Sequence, residues 1–354
     1  MTSSPVRFGM IGAGSIAQSY GQAFSTCEDA RLVAVADVRG EASRALAEGC
    51  GCATYDSYQN LAANTELDAV VICTPPDTHP EISIYFLERK VHVLCEKPLS
   101  IDVASAQEML DAAIKAGVRL TMASKYRYVE DVIRAKSIVT SGILGEIILF
   151  ENAFTSRVDM TSRWNANPKI SGGGVLMDNG AHSVDLMRYF LGPLDAVQVV
   201  EGKRVQGLPV EDTVRIFVRS AGGVMGSIDL SWSINKELDS YINIYGSHGT
   251  VAVGWKESKY RQTSSRDWVA FGKGYDKVQA FRSQISNFAR AIRGKEMLVI
   301  TARDALASVE VMEAAYRALH QDHWVSVNKE SGIRNQEPGK SLPTPASRTL
   351  LPVS

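Results

Sequence analysis

The first 123 residues alternate between short apolar runs and longer segments with helical spacing. The apolar runs are rich in Val, Ile and Leu and span residues 6–11, 31–36, 69–73, 91–95 and 118–123. The helix-like segments lie between them, at residues 16–24, 40–48, 80–89 and 102–116. For the last of these helices, Ser100 is the expected N-cap and Gly117 the residue that ends it. Apolar strands that alternate with helices predict a parallel sheet covered on both faces, the doubly wound α/β arrangement.

The pattern changes after residue 123, and residues 124–327 predict a second domain of the α+β class. Helices are expected at 129–140 and from the glycines at 172–174 to Gly192. The strand-like runs, several of which alternate apolar and polar residues, span 145–154, 196–201, 213–219, 224–233, 241–245 and 250–254. Two amphipathic helices are expected to close the domain. These segments predict a large, mainly antiparallel sheet with its own helices on one face.

The length of 354 residues supports a division into two domains, because one hydrophobic core rarely serves so long a chain. Residues 328–354 form a further segment, a tail rich in Pro, Ser, Gly and charged residues. This composition alone is typical of disordered segments. We expect the tail to be ordered by packing on a neighbouring subunit.

Composition and charge narrow the range of partners. The formal net charge of −1 gives no electrostatic reason to expect nucleic acid or an anionic membrane as the main partner. No apolar run approaches the ~20 residues that span a bilayer, and no signal-peptide core follows Met1, so a cytoplasmic protein is expected.

The five cysteines match no disulfide framework. Cys50 and Cys52 form an isolated C-x-C pair without further ligands, so no metal site is expected.

A glycine-rich turn joins the first predicted strand to the first helix and indicates a dinucleotide site. Residues 12–17 read G-A-G-S-I-A, with a strand before them and a helix after them. Gly12 permits the tight turn, and Gly14 lets the backbone approach a pyrophosphate. The N–H groups at the start of the helix, around Ser15 and Ile16, are expected to face the phosphates. A tight turn without a ligand is the alternative.

The end of the second predicted strand bears on the choice of cofactor. Asp37 is expected to accept hydrogen bonds from the adenosine ribose and to repel a 2′-phosphate, which favours NAD over NADP. Arg39 weakens this preference, because a guanidinium pairs readily with a phosphate. We therefore predict NAD as the cofactor, with NADP as the less favoured alternative.

Two further motifs bring charged residues near this turn. Glu96 and Lys97, in the sequence E-K-P, follow the run at 91–95, at the sheet edge where doubly wound folds bind ligands. Alone they would be an ordinary surface ion pair. Asp178 and His182 are four residues apart, on one face of a helix. A carboxylate beside an imidazole orients it and stabilises its charged form, and oxidising an alcohol requires a base. A structural Asp–His pair, or half of a metal site, would have the same spacing.

The combination of G-x-G-x-x-A, E-K-P and D-x-x-x-H-x-x-D resembles the glucose–fructose oxidoreductase / inositol dehydrogenase (Gfo/Idh/MocA) family. The likeness extends from residue 6 to about residue 325 and includes a T-P-x-x-x-H loop at residues 74–79. It implies a Rossmann domain that binds NAD(P) and a second domain that binds substrate and forms a homodimer or homotetramer. It also implies that the residues beside the nicotinamide end of the cofactor are Thr74, Pro75, His79, Glu96 and Lys97.

The resemblance assigns catalytic roles as well. It implies the oxidation of a secondary alcohol of a sugar, a sugar derivative or a cyclitol. Lys97 is expected to touch both the substrate hydroxyl and the nicotinamide end of the cofactor, and its charge favours alkoxide character. Asp178 and His182 are expected to hold the reacting alcohol, with His182 as the base. Asp185, the last residue of the third motif, is expected to stabilise the helix.

The sequence departs from the family pattern after the fifth predicted strand. Many members carry Asn-x-Arg there, whereas this chain has Lys125, Tyr126 and Arg127. We expect Lys125 and Arg127 to contact the substrate; the alternative is that both are solvated. The pocket wall is expected to include Arg157, Arg163 and Trp164. The positive charge of the arginines points to a substrate that carries a carboxylate or a phosphate.

Two other functions are compatible with the same motifs. Some relatives oxidise a sugar only transiently and re-reduce a tightly held cofactor, so that the net reaction breaks a glycosidic bond or passes hydride between two sugars. A non-catalytic regulator on the same scaffold would bind the nucleotide only as a ligand. The presence of Lys97, Asp178 and His182 together argues against the regulator.

Overall fold

Residues 4–327, the part of the chain that the computed structural model describes, begin with a six-stranded parallel sheet. Its strands are β1 (Val6–Ile11), β2 (Ala30–Ala36), β3 (Ala53–Tyr55), β4 (Ala69–Ile72), β5 (His92–Glu96) and β6 (Leu120–Ala123). They lie in the order β3-β2-β1-β4-β5-β6, so the growth of the sheet reverses between β1 and β4. This order confirms the doubly wound prediction, and ligands of such sheets bind at the reversal point.

The helices that cover this sheet are α1 (Ser15–Phe24), α2 (Gly40–Cys50), α3 (Tyr58–Asn64), α4 (His79–Glu88) and α5 (Val103–Ala116). The predicted N-cap of α5, Ser100, is wrong. Asp102 caps the helix, because its carboxylate lies one residue before the first turn and accepts a hydrogen bond from the Ser105 N–H at 2.8 Å. Gly117 ends the helix with a φ of +68°, as predicted. The short elements β3 and α3 were not predicted.

A nine-stranded sheet dominates the rest of the described chain. Its strands are β7 (Ile147–Thr155), β8 (Leu194–Glu201), β9 (Thr213–Ser220), β10 (Met225–Ser231), β11 (Ser240–Gly246), β12 (Gly249–Gly254), β13 (Ser258–Gln262), β14 (Val269–Gly272) and β15 (Val325–Ser326). Strands β7 and β10 run parallel, whereas the other neighbours run antiparallel. In β9, Val214 and Ile216 face the core, while Arg215 and Phe217 face away from it. The prediction of a mainly antiparallel sheet with one open face is confirmed.

The remaining helices are α6 (Glu130–Thr140), α7 (Pro168–Ser171), α8 (Val175–Leu191), α9 (Lys277–Ile292) and α10 (Ala302–Gln321). Most residues of α8 are buried, because this helix packs on β7, β9 and β10 with one side and on α10 with another. Its position between the two sheets makes α8 the natural carrier of a site at their junction.

Beyond the predicted division at residue 123, the chain returns to the first sheet after β14. Phe281 and Phe288 of α9 belong to the hydrophobic core around β1, where Phe288 lies 6.1 Å from Phe8 between ring centroids. Helix α10 joins both cores: Leu306 packs with the first sheet and Met312 with the second. An apolar stripe shows that a helix is buried, but not which sheet buries it.

The predicted packing of the tail, 328–354, lies outside the described residues. Among the helices of the described range, none combines the length and the apolar character needed to cross a membrane. That range also holds no cluster of three or more His, Cys, Asp or Glu side chains suited to a metal ion.

Candidate active site

The turn between β1 and α1 has the shape that the glycine pattern predicts. Gly12 has a φ of +93°, and a Cβ there would lie 2.9 Å from the carbonyl group of Cys73, so a side chain would clash with the end of β4. Gly14 precedes α1, and none of the described side chains caps that helix. The first N–H groups of α1 are therefore available to an anion. A Cβ at Gly14 would meet no atom closer than 4.0 Å, so the approach to the turn is open.

Asp37 lies at the rim of this turn as an ionised acceptor. Its carboxylate accepts hydrogen bonds from the N–H groups of Ala13 at 2.7 Å and Arg39 at 2.8 Å. Burial opposes ionisation, but these bonds outweigh it and lower the pKa of Asp37. The Arg39 side chain lies beside the carboxylate, with Nε 3.3 Å from Oδ1, and is mostly exposed. A cavity of about 550 Å³ contains both residues together with Gly12, Ser15, Thr74 and Pro75, so the residues present fit a dinucleotide.

His79 does not line this cavity, although the prediction placed it beside the cofactor. The imidazole is fully buried, with Nδ1 2.9 Å from the Pro98 carbonyl and Nε2 2.9 Å from the Thr74 carbonyl. Burial lowers the pKa of His79. The residue therefore holds the loop after β4 against the loop after β5. Its bond to the Thr74 carbonyl fixes the main chain of a residue that lines the cavity.

Lys97 extends from the end of β5 to α8. Its Nζ donates to Oδ1 of Asp178 at 2.6 Å and to the main-chain carbonyl of Asp178 at 2.9 Å. The side chains retain 14% and 26% of their exposure, so the ion pair borders on solvent rather than being sealed in the core. This contact joins the edge of the first sheet to the helix of the second, which brings together two motifs that are 81 residues apart.

His182 lies one turn further along α8 and is buried against Tyr126, with an edge-on contact at 5.0 Å between ring centroids. The predicted Asp178–His182 pair is not formed, because the Asp178 carboxylate is bonded to Lys97 instead. The buried Nδ1 of His182 has no hydrogen-bond partner among residues 4–327. Burial, reinforced by the positive charges of Lys97 and Lys125, lowers the pKa of His182 well below its usual value. The imidazole is therefore neutral, as a base must be.

The Glu96 carboxylate is held by hydrogen bonds from α1 and from the neighbouring main chain. One carboxylate oxygen accepts from the hydroxyl of Tyr20 at 2.8 Å, and the other accepts from the Lys97 N–H at 3.1 Å. Gln284 of α9 in turn donates to the Tyr20 hydroxyl at 2.9 Å. Burial raises the pKa of Glu96. Tyr20 and Gln284 were not predicted, because their partners lie far away along the chain.

The predicted residues meet in a cleft between the sheet edge and α8. This second cavity, of about 660 Å³, is lined by Ser15, Ile16, Thr74, Glu96, Lys97, Lys125, Arg163, Trp164, Asp178 and His182, among others. It shares Gly14, Ser15, Cys73, Thr74 and Trp164 with the cavity beside Asp37, so the two form one continuous cleft. A larger cavity of about 990 Å³ lies on the open face of the second sheet and contains none of the predicted site residues.

Arg127 does not line the cleft, although the prediction made it a substrate contact. The side chain is 5% exposed and binds the Asp185 carboxylate with two hydrogen bonds, from Nε at 2.9 Å and from a terminal nitrogen at 2.6 Å. The tight turn Lys125–Tyr128 explains the difference, because it directs Lys125 into the cleft and Arg127 toward α8. Asp185 thus anchors α8, in line with the stabilising role expected for it.

Replacing Asp185 by alanine is expected to lower the free energy of unfolding by about 3 kcal/mol, because an unpaired buried guanidinium remains. Denaturant unfolding measures this cost. The matched control is Asp195→Ala, which breaks the exposed pair with Arg219 and should cost less than about 1 kcal/mol. Equal costs for the two variants would contradict the buried-pair interpretation.

Glu211 orders the start of the helix that carries the site. Its carboxylate accepts hydrogen bonds from the N–H groups of Gly174 at 2.8 Å and Leu176 at 3.2 Å, and from the Tyr316 hydroxyl at 2.8 Å. A Cβ on Gly174 would lie 2.0 Å from the Glu211 carbonyl oxygen, so only glycine fits there. This capping role was not predicted, because Glu211 lies 37 residues after Gly174.

Two protein-family models match this chain. Residues 6–124 match the oxidoreductase family with the NAD-binding Rossmann fold, and residues 132–252 match the Gfo/Idh/MocA C-terminal domain. Together the two matches cover more than half of the 354 residues.

Individual relatives and solved structures agree with these matches. Inositol 2-dehydrogenase of Rhizobium meliloti (strain 1021) is 28% identical over 342 residues, which cover 91% of this chain and 99% of the relative. D-glucoside 3-dehydrogenase of Escherichia coli (strain K12) is 37% identical over 221 residues, which cover 61% of this chain and 62% of the relative. The structure of levoglucosan dehydrogenase in complex with NADH and levoglucosan has a TM-score of 0.84 at 21% identity, covering 92% of this chain and 99% of the other. The chain therefore belongs to the Gfo/Idh/MocA family of oxidoreductases.

Proposed function

We propose that this protein is an NAD-dependent dehydrogenase that oxidises a secondary alcohol of a sugar, a sugar derivative or a cyclitol. The observation that carries the proposal is the cleft in which Lys97, Asp178 and a neutral His182 lie next to the glycine turn. The relatives named above are dehydrogenases of inositol and of a D-glucoside, which supports the same class of substrate.

His182 receives the proton in this proposal. The buried Nδ1 of the ring has no hydrogen-bond partner within residues 4–327, so the imidazole is free to accept a hydrogen bond from the substrate hydroxyl. Its lowered pKa keeps the ring unprotonated at neutral pH. The nearby cations also disfavour the imidazolium, so the proton must pass on to solvent before the next turnover.

Lys97 and Asp178 hold the reacting alcohol. The Lys97 ammonium favours the negative charge that develops on the alcohol oxygen as its proton leaves. Asp178 fixes the ammonium through one carboxylate oxygen and has its second oxygen available for a substrate hydroxyl. A nicotinamide dinucleotide held by the glycine turn and Asp37 would supply the hydride acceptor for the carbinol carbon, and the product would be a ketone.

The direct test is to incubate the purified protein with NAD and a panel of polyols, aldoses, cyclitols and nucleotide sugars, and to follow NADH by absorbance. At least one compound should yield NADH, and the matching ketone should consume NADH in the reverse direction. No absorbance change in either direction across the panel would contradict the proposal.

Asp37 should set the preference for NAD over NADP. The variant Asp37→Ser removes a charged acceptor, so the ratio of kcat/KM with NAD to that with NADP should fall by about tenfold or more. Steady-state kinetics with both cofactors measures the ratio. Glu41→Gln, an exposed charge change in the first turn of α2, should leave the ratio unchanged. An unchanged ratio in Asp37→Ser would show that this carboxylate does not select the cofactor.

We also propose that the protein forms a homodimer or homotetramer through the open face of the second sheet. That face exposes Val200, Phe217 and Met225, which would be buried by a second copy. Light scattering should give two or four times the chain mass of 38.5 kDa. The variant Phe217→Asp should lower that mass, and a monomeric parent protein would contradict the proposal.

A further inference from the structure

The charged side chains of the cleft divide into paired and unpaired groups. The Asp178 carboxylate binds Lys97, and both oxygens of Glu96 accept hydrogen bonds, one from a tyrosine hydroxyl and one from a main-chain N–H. Lys125 and Arg163 line the same cavity, and neither side chain forms an ion pair or hydrogen bond within residues 4–327. The two charged side chains of the cleft that lack a partner among the described residues, Lys125 and Arg163, are therefore both positive.

Lys125 is held in place by its surroundings rather than by a carboxylate. Its Nζ lies 5.3 Å from the ring centroid of Tyr126 and 5.6 Å from that of Phe281. Burial lowers the pKa of Lys125 to about 8; the charge of Glu96 opposes this shift and that of Lys97 adds to it. A largely buried ammonium without a direct partner is costly, and a bound anion would offset that cost.

Arg163 supplies the second cation from a different element. It lies on the loop between β7 and α7, next to Trp164, and its side chain is exposed. One cation comes from the end of the parallel sheet and the other from the loop after β7, a strand of the second sheet. A ligand in the cleft would therefore meet positive charge from both parts of the fold, whereas Lys97 is already engaged with Asp178.

We propose that Lys125 and Arg163 form an anion subsite, and that the substrate is a sugar or cyclitol derivative that carries a carboxylate or a phosphate. This inference rests on the dehydrogenase function proposed above. Hydrogen bonds between charged partners are stronger than those to a neutral hydroxyl, so the anionic group selects the substrate. Two of the three Lys97 donors bind Asp178, so the third is left for the alcohol that is oxidised, and Lys125 holds the substituent.

The test compares kcat/KM for matched sets: an aldohexose, its uronate and its 6-phosphate, and likewise inositol and an inositol phosphate. For the wild-type protein, the anionic member should exceed the neutral member by about tenfold or more. A preference for the uronate identifies a carboxylate as the bound group, and a preference for the phosphate ester identifies a phosphate.

Variants show whether the subsite causes the preference. Lys125→Met should bring the ratio of anionic to neutral substrate close to one, mainly through a higher KM for the anionic compound. Arg163→Gln should lower the same ratio by a smaller factor, because its side chain is exposed. Arg157→Gln is the matched control. Arg157, which was expected in the pocket wall, is exposed and outside the cavity lining, so this variant should leave the ratio unchanged. If Lys125→Met does not fold, Arg163→Gln carries the test.

The outcomes separate this inference from the proposed function. If neutral compounds are oxidised as efficiently as anionic ones, and the variants leave the ratio unchanged, the anion subsite is overturned while the dehydrogenase function stands. If no compound yields NADH, the dehydrogenase function fails. In that case, calorimetric titration of the NAD-loaded protein with the same uronate and 6-phosphate tests whether the subsite exists. If neither compound binds, or if wild type and Lys125→Met bind them with equal affinity, the anion subsite is overturned.

Discussion

Replacing His182 by alanine is expected to lower kcat by about 10²–10⁴-fold, the usual contribution of a positioned general base. The variant removes the group that receives the alcohol proton but leaves the glycine turn and the Lys97–Asp178 pair in place. NADH formation measures the loss, and the variant should bind NAD with the affinity of the wild type. Added imidazole should restore part of the activity, because it supplies a base at the vacated position.

Two observations would separate a base from a structural histidine. His320→Ala, an exposed change in the last turn of α10, should leave kcat unchanged. In the wild type, the acid limb of kcat/KM should lie below pH 6.5, the ordinary pKa of histidine, because burial and two cations keep His182 neutral to lower pH. A loss smaller than about tenfold in His182→Ala would exclude the assigned role.

Replacing Lys97 by methionine is expected to lower kcat by about 10²–10³-fold, as the loss of one donor to a developing oxyanion does in other enzymes. The change also leaves Asp178 without its cationic partner. Because the charge of Lys97 lowers the pKa of His182, its removal should move the acid limb of the pH profile to higher pH. Steady-state kinetics across pH measures both effects in one series.

The control for this variant is Lys115→Met, an exposed lysine in the last turn of α5 that should have no effect. A variant Lys97→Met that retains most of its activity would remove the ammonium from the mechanism. A large loss of kcat without a shift of the acid limb would show that Lys97 acts on the alcohol but not on the protonation of His182.

Local patterns allowed most of the fold to be predicted. The strand of residues 6–11 was predicted to the residue, since an apolar run ending in a glycine turn has few alternatives. The same reasoning could not assign α9, whose apolar face fits either core, and it missed the three-residue strand β3. Packing partners distant in sequence decide such cases.

The site was harder to predict at the level of single contacts. The motifs predicted that Lys97, Asp178 and His182 share one site, and all three line the same cleft. The spacing also suggested a hydrogen bond between Asp178 and His182, which does not form. The i, i+4 rule gives proximity on a helix face, and Lys97 competes successfully for the same carboxylate from outside the helix. Residue type alone also failed to separate Lys125, which faces the cleft, from Arg127, which is buried in an ion pair.

The central claim is that the cleft carries out a net oxidation, and the most direct test is the stoichiometry of NADH formed to substrate consumed. With excess NAD and the substrate that gives the highest kcat/KM, one NADH should accumulate for each ketone formed, and His182→Ala should suppress both together. Product that forms without accumulating NADH, while the cofactor stays bound, would contradict a dehydrogenase and indicate a redox-neutral reaction in its place.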